Sequence, residues 1–185
     1  MNKERMLKVL KLIIFIDVAI TVLYFLFYGF PKSPIELLSK IGILTVVSSL
    51  LFIGFNKFLW KYNFMGFTLG GIPIIEGEWN GRIINNQDEK IQEAIIRIKQ
   101  TYLNVSIEVD VERGNSITLI GDLLPVNEKW QLIWNWNAKY KGSEFYGTNI
   151  VDLRKDNTVM EGLYFTNSNH TGYKCTAGTF EAEKI

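Results

Sequence analysis

The chain has 185 residues, enough for one domain of ordinary size and a small appendage. Its 20 Lys/Arg and 19 Asp/Glu are unevenly placed, because residues 1–71 hold eight basic and three acidic residues, a net charge of +5 that leaves −4 for the remainder. A mildly acidic domain is a poor non-specific binder of DNA or RNA polymers, because that binding depends on neutralising phosphates, and we expect no such polymer as a partner.

Two long apolar stretches, at about 12–30 and 41–60, open the chain. Each approaches the roughly 20 residues that a helix needs to cross the hydrocarbon core of a membrane. Pro31 and Pro34 break the helix between them, so residues 1–71 are predicted to form a transmembrane helical hairpin. No small-residue cleavage site follows the first stretch, and we interpret it as a retained span rather than a signal peptide.

The orientation of this hairpin follows from its basic residues. Six of them flank its two outer ends, namely Lys3, Arg5, Lys8, Lys11, Lys57 and Lys61. The connecting loop has only Lys32 and Lys40, with Glu36 between them. The positive-inside rule then places both chain termini in the cytoplasm.

Asp17 is the one acidic residue inside the first apolar stretch. A carboxylate at mid-helix costs about 2.5–3.5 kcal/mol on insertion scales, so it either lies near the cytoplasmic face, solvated or protonated, or faces other helices of an oligomer. Small and hydroxylated residues of the second stretch permit close helix packing. We therefore predict that Asp17, Ser48 and Ser49 take part in oligomerisation within the membrane.

From Gly77 onward, residues alternate between apolar and polar with the period of two that half-buried strands require. Eight strands are predicted, at 78–85, 91–100, 103–112, 115–124, 129–138, 144–153, 158–166 and 172–183. Their short spacing predicts that residues 72–185 form a compact eight-stranded antiparallel up-and-down β-barrel of the calycin kind, with a two-sheet sandwich as the rival. Gly77-x-Trp79 favours the barrel, because in such folds the Trp closes one end and stacks on a cation near the last strand, here Lys184.

Residues for catalysis are hard to find. No serine has a histidine base in a recognisable motif, no carboxylate pair stands out, and neither a P-loop nor a dinucleotide fingerprint is present. The sole histidine, His170, has no Cys or His at ligand spacing, and the single cysteine, Cys175, excludes an intrachain disulfide. We therefore expect a protein that is not an enzyme and has no metal site and no cofactor.

Aromatic and polar side chains near strand ends are the candidate binding residues. Flat rings stack on nucleobases, although large aromatics also fill small barrels, which is our interpretation of Trp130 and Trp134. The stacking candidates are Trp136, Tyr140 and Tyr164. The polar candidates, for which turn chemistry is the alternative explanation, are Gln100, Thr101, Thr148, Thr166 and Asn167, and the cations available to a ligand phosphate are Arg97, Lys99, Arg154 and Lys174.

The order of these features resembles a known family. Two N-terminal spans, a short barrel, and the segments IRIKQTYLNVSIEV (95–109), KWQLIWNW (129–136), YGTNIVDL (146–153) and EGLYFTN (161–167) are similar to the two-transmembrane, β-strand-rich effectors of bacterial anti-phage CBASS systems. The positions that match recurring segments of that family are Gln100, Thr101, Trp136, Gly147, Thr148, Gly162, Tyr164, Phe165 and Thr166. Where the family pattern has a basic residue soon after Tyr-Phe-Thr, this chain has Asn167 to His170.

This resemblance implies a mechanism. A phage-activated nucleotidyltransferase (CD-NTase) makes a 3′,3′-cyclic dinucleotide, which the cytosolic barrel binds. The protein then forms homo-oligomers, the clustered spans disrupt the bacterial inner membrane, and the cell dies by abortive infection.

Two other hypotheses remain open. A membrane-tethered, lipocalin-like carrier of a lipid or other apolar ligand requires an empty apolar interior, and the tryptophans of so small a barrel argue that the interior is filled. A passive membrane-anchored adaptor would only dock a partner.

Overall fold

The computed structural model describes residues 3–64, 67–68, 70–86, 89–112, 114–140, 143–168 and 174–185. The chain divides into two compact units, Met1–Gly71 with Thr101–Leu103, and Ile72–Gln100 with Asn104–Ile185. The first unit holds two helices, α1 (Lys3–Tyr28) and α2 (Pro34–Lys57), a 3₁₀ turn at Leu59–Lys61, and the two-residue strands β1 (Asn63–Phe64) and β2 (Phe67–Thr68).

Both helices are long and apolar enough to cross a membrane, by length and composition. Both begin before the predicted stretches of 12–30 and 41–60, because hydropathy locates only the apolar part whereas the helical backbone includes the polar N-terminal flank, and both end two or three residues before the predicted limits. Pro34 begins α2 instead of interrupting a helix, as proline can at the first helical position. Ser33 caps this helix by accepting a hydrogen bond from the backbone N of Glu36 at 3.2 Å.

The loop Thr101–Leu103 belongs to the first unit although it connects two strands of the second. The backbone N of Tyr102 donates to the backbone O of Asn56 at 2.9 Å, and that of Leu103 donates to Asn56 Oδ1 at 3.1 Å. The Tyr102 ring packs edge-on against Phe55, with centroids 5.2 Å apart. These bonds explain why the strand predicted from residue 103 begins only at Val105.

The second unit is a closed antiparallel barrel of eight strands in the order β10-β3-β4-β5-β6-β7-β8-β9, which confirms the predicted fold class. Each strand pairs with its neighbours in sequence, and β10 pairs with β3 to close the barrel. The strands are β3 (Gly77–Asn85), β4 (Ile91–Gln100), β5 (Val105–Val111), β6 (Gly114–Val126), β7 (Lys129–Tyr140), β8 (Ser143–Arg154), β9 (Val159–Ser168) and β10 (Lys174–Lys184).

A bulge interrupts the pairing of β6 between Thr118 and Ile120. Thr118 Oγ1 accepts a hydrogen bond from the backbone N of Ile107 at 2.8 Å and donates one to its backbone O at 2.7 Å. The bulge lies in the pairing with β7, whereas these two bonds join β6 to β5 just beyond the last paired residues, Glu108 and Ile117, so the seam between β5 and β6 stays closed there.

The two ends of the barrel differ. The turns after β4, β6 and β8 lie at one end, which we call the closed end, and those after β3, β5, β7 and β9 lie at the other, which we call the mouth. Large side chains fill the half near the closed end with no exposed surface, namely Trp79, Ile96, Leu123, Leu132, Val151 and Met160.

Residues just before β3 seal the closed end. Trp79 Nε1 donates to the backbone O of Ile75 at 3.0 Å, and Lys184 Nζ lies 5.8 Å from the centroid of the Trp79 ring, the predicted cation contact. Gln100, which is 3% exposed, accepts from the backbone N of Ile75 at 2.8 Å and donates to the backbone O of Pro73 at 2.9 Å. The amide of Gln100 therefore pairs backbone groups that would otherwise be buried without partners.

Replacing Gln100 tests this role. Gln100→Ala leaves a buried N–H and a buried C=O unpaired, so we expect a loss of about 2–3 kcal/mol in the free energy of unfolding, seen as a lower Tm of the full chain in detergent. Glu93→Ala, at an exposed position of the same strand, is the control and should stay within about 0.5 kcal/mol. An unchanged Tm for Gln100→Ala would contradict the sealing role.

Candidate functional site

A cavity of about 390 Å³ opens at the mouth of the barrel. The prediction that tryptophans fill the interior therefore holds for the closed half and is wrong for the mouth half. The cavity wall mixes apolar, amide and hydroxyl groups from all eight strands, including Ile83, Asn85, Gln92, Val109, Ser116, Trp134, Trp136, Lys139, Asn149, Tyr164, Thr166, Thr176 and Phe180. Such a mixture suits a ligand with flat rings and several polar atoms.

Trp136 lies flat on the cavity wall because of a glycine. A Cβ added to Gly147 on the neighbouring strand would lie 2.2 Å from Cζ2 of Trp136 and 2.5 Å from the backbone O of Phe165. Trp136 Nε1 also donates to Asn149 Oδ1 at 2.6 Å, which fixes the orientation of the ring. The indole face is thereby held in position before a ligand binds.

A glycine likewise leaves room for the ring of Tyr164 on another part of the cavity wall. A Cβ added to Gly178 of β10 would lie 2.3 Å from Cε1 of Tyr164 and 2.0 Å from the backbone O of Ile84. Deeper in the cavity, Trp134 and Phe180 pack edge to face with centroids 5.3 Å apart. The glycines near the mouth therefore leave space for the rings of Trp136 and Tyr164, and the paired rings of Trp134 and Phe180 form the floor of the cavity.

One cation, Lys139, lies among the cavity-lining residues that the structure describes. Its Nζ is 3.0 Å from Glu144 Oε1, and the Tyr146 hydroxyl donates to Glu144 Oε2 at 2.8 Å. The Tyr146 hydroxyl and then the Lys139 ammonium lower the pKa of Glu144, and the Glu144 carboxylate raises the pKa of Tyr146. Glu144 is thus ionised at neutral pH and holds Lys139 at the rim.

Three of the predicted ligand residues, Trp136, Tyr164 and Thr166, line this cavity. Thr166 Oγ1 donates to the backbone O of Tyr146 at 3.1 Å. Asn167, the next residue, is exposed, and its Oδ1 accepts from the backbone N of Tyr146 at 2.6 Å. Together the two side chains join β8 to β9 near the mouth, so Asn167 holds strands together outside the cavity.

The other predicted ligand residues have different positions. Gln100 seals the closed end, where both ends of its amide are engaged, and Thr101 belongs to the helical unit. Thr148 alternates with Asn149, does not line the cavity, and donates to Asn135 Oδ1 at 2.9 Å. Tyr140 ends β7, and its side chain lies outside the described part of the structure. Gln100, Thr101 and Thr148 thus do not line the mouth cavity.

The cations expected to contact a phosphate lie elsewhere. Arg97 pairs with Asp110 and Glu78, Lys99 with Glu108 at 3.5 Å, and Arg154 with Glu161 at 3.0 Å, and none of the three lines the cavity. Asp110 is the main cause of the raised pKa of Arg97. The side chain of Lys174, like residue His170, lies outside the described part.

Sequence reasoning missed Lys139, Asn149 and the floor residues Trp134 and Phe180. Trp134 was predicted to be a core residue, because a buried aromatic on an alternating strand has the same sequence pattern whether it fills the core or lines a cavity. The position of Lys139 just before a hairpin turn was a usable signal, since such turns form the rims of barrels.

The three residues predicted to act within the membrane make different hydrogen bonds in the helical hairpin. Ser48 Oγ donates to Asp17 Oδ2 at 2.6 Å, joining α1 to α2. Ser49 Oγ instead donates to the backbone O of Thr45 in its own helix at 2.8 Å. Asp17 Oδ1 is buried without a hydrogen-bond partner among the described residues. Asp17 therefore has a partner inside one hairpin, which the sequence did not reveal.

Gly147 offers a test of the cavity wall. Gly147→Ala places a methyl group against Trp136 and the backbone of Phe165, so we expect a loss of about 1–3 kcal/mol in stability and a displaced indole. Thermal unfolding and the tryptophan fluorescence maximum measure these effects. Thr148→Ala, at the next position, is the matched control and should change stability by less than about 1 kcal/mol; equal effects would refute the close approach.

Comparison with known proteins gives the family. The family model described as Cap15, cyclic dinucleotide receptor domain, matches residues 71–184. CD-NTase-associated protein 15 of Escherichia albertii is 25% identical over 182 residues, which cover 91% of this chain and 92% of that protein. The protein of the same name from Staphylococcus schleiferi is 22% identical over 160 residues, 82% of this chain and 87% of that protein. The family resemblance predicted from the sequence is confirmed: the chain belongs to the Cap15 family of CBASS effectors, which carry a cyclic dinucleotide receptor domain.

Proposed function

We propose that the mouth cavity binds a 3′,3′-cyclic dinucleotide made by an associated CD-NTase. Binding drives homo-oligomerisation, the hairpins cluster in the bacterial inner membrane, and the membrane is disrupted. The observation that carries the proposal is the open cavity with preorganised aromatic rings, amides and one rim cation, in a domain that belongs to a cyclic dinucleotide receptor family. The protein acts as a receptor and effector in this proposal, without catalysis of its own.

The cavity wall supplies what each part of such a ligand requires. Base stacking on an aromatic ring contributes about 1–3 kcal/mol per base, and Trp136 and Tyr164 offer rings held flat by Gly147 and Gly178. Thr166 and Asn149 offer hydrogen bonds near these rings. Lys139 can exchange Glu144 for a ligand phosphate, because an exposed ion pair is weak in water.

The proposed topology follows from charge and hydropathy. Residues 1–71 form the transmembrane hairpin and residues 72–185 form the sensor. The basic ends of the hairpin favour a cytoplasmic location for both termini. In that arrangement the barrel is exposed to messengers made inside the cell.

Ligand binding to the full chain in detergent tests the function. A panel of 3′,3′-cyclic dinucleotides should include a member that raises Tm, since a ligand at 100 times its Kd stabilises the folded state by about 2.7 kcal/mol. The same member should produce a larger species in sedimentation. A panel that gives neither a shift nor an assembly would refute the proposal.

A pair of lysine variants locates the site. Lys139→Gln, at the rim of the cavity, should weaken binding about tenfold by removing a charge-assisted hydrogen bond to phosphate. Lys99→Gln, in an exposed ion pair with Glu108, is the matched control and should bind normally. Equal affinities for the two variants would exclude phosphate contact by Lys139.

The hairpin gives a separate prediction for the effector step. Asp17→Ala and Ser48→Ala each remove the hydrogen bond between α1 and α2, so we expect normal ligand affinity with reduced toxicity in cells that make the messenger. Ser49→Ala is the matched control, because the described bond of the Ser49 hydroxyl lies within its own helix, and unchanged toxicity would remove Ser49 from the residues predicted to act in oligomerisation. Full toxicity of the Asp17 and Ser48 variants would remove both residues from the mechanism.

The cavity also revives the carrier hypothesis, since it provides the empty volume that a lipid needs. Val109, Val111 and Phe180 give it apolar wall area. Amide side chains such as Asn85 and Gln92 at the mouth disfavour an acyl chain, because buried amides require hydrogen-bond partners. Native mass spectrometry of the extracted protein decides: a retained lipid supports the carrier, and an empty barrel that takes up a dinucleotide supports the receptor.

A further inference from the structure

Three indoles of the barrel differ in how their N–H groups are paired. Trp79 Nε1 donates to the backbone O of Ile75 at 3.0 Å, and Trp136 Nε1 donates to Asn149 Oδ1 at 2.6 Å. Trp134 is only 1% exposed, yet its Nε1 is buried without a hydrogen-bond partner among the described residues. Trp134 also lines the mouth cavity. The cavity floor therefore carries a buried donor that no described protein atom accepts from.

Asn149 adds a polar side chain beside this donor. It is 4% exposed, lines the cavity, and pairs in register with Trp134 on the neighbouring strand. An indole nitrogen can only donate, so the amide atom that it meets must be the Asn149 oxygen. The amide nitrogen is then the part of Asn149 that remains to offer N–H groups to a ligand.

A floor of donors selects a ligand edge made of acceptors. The Hoogsteen edge of guanine, which faces the major groove in a duplex, presents two acceptors, N7 and O6, and uracil, like thymine, presents the carbonyl O4 there. The same edge of adenine places an amino donor beside N7, and that amino group would face another donor. Discrimination on this basis is strong, because a mismatched polar group stays unpaired where water has little access.

We propose that the floor of the cavity reads a carbonyl-bearing nucleobase, uracil or guanine, with Trp134 Nε1 as the specificity-determining donor and the Asn149 amide beside it. This inference rests on the proposed function. It concerns which messenger the receptor prefers, and it assigns that preference to the floor rather than to the rim cation.

Three probes test it on the full chain in detergent: 3′,3′-cyclic di-UMP, di-GMP and di-AMP, with Kd measured by calorimetry. Either di-UMP or di-GMP, or both, should bind at least about tenfold more tightly than di-AMP. Trp134→Phe keeps an aromatic ring against Phe180 and removes the donor. In this variant the affinity for the preferred ligand should fall about tenfold, and the affinity for di-AMP should stay unchanged. The preference between the bases would then disappear.

Trp79→Phe is the matched control. It removes an indole donor that is already paired with the backbone O of Ile75, so it should lower the Tm of the ligand-free protein and leave the base preference intact. Benzothienylalanine introduced at position 134 keeps the indole shape and replaces only the N–H with sulfur. It should reproduce the loss of preference with full packing.

The outcomes separate the two claims. Binding of di-AMP as tight as that of the other two overturns the inference and leaves the proposed function standing. An equal loss of affinity for all three probes in the benzothienylalanine protein also overturns it, because Trp134 would then act through packing. Failure of all three probes to bind overturns this inference, and the proposed function falls with it only if the mixed 3′,3′-cyclic dinucleotides of the panel also fail to bind.

Discussion

The structure depends on a constraint of size. A barrel of eight strands is just wide enough for inward side chains to fill, so empty space exists only where those side chains are small. Trp79 and Met160 fill the closed half, whereas Gly147 and Gly178 at the mouth let Trp136 and Tyr164 lie flat on the wall. The cavity is therefore a consequence of where glycines replace larger residues, and the fold alone does not provide it.

The same constraint makes the two ends unlike each other. Ile75 and Pro73, just before β3, enter the hydrogen-bond network of the closed end through Gln100, and Lys184 at the end of β10 covers the Trp79 ring. The start and the end of the barrel sequence thus meet at one end and lock the closure between β10 and β3. The connections after β3, β5, β7 and β9 lie at the other end, where the described lining residues leave a cavity open.

The architecture could be predicted from the sequence, whereas most of the site could not. Period-two alternation located all eight strands and gave both limits of β4, because alternation is a local property of a half-buried strand. In the sequence, Gln100 and Thr148 have the pattern of ligand residues, namely polar groups near strand ends. The same pattern occurs at the closed end and at the mouth of a barrel, and on its inner and its outer face. Their roles depend on register and on which end is sealed, which are properties of the closed barrel.

Charge explains how an acidic domain can be proposed to receive an anionic messenger. On the outer wall Arg97, Lys99 and Arg154 are paired with carboxylates of neighbouring strands, and none of the three lines the cavity. Lys139, at the rim, is the one charged residue among the described lining residues of the cavity, and the remaining polar groups are neutral. In the proposed function, recognition depends on stacking and on oriented N–H groups, which salt screens little. A polynucleotide, whose binding requires many cations, gains little from such a surface, whereas a small cyclic ligand can satisfy it completely.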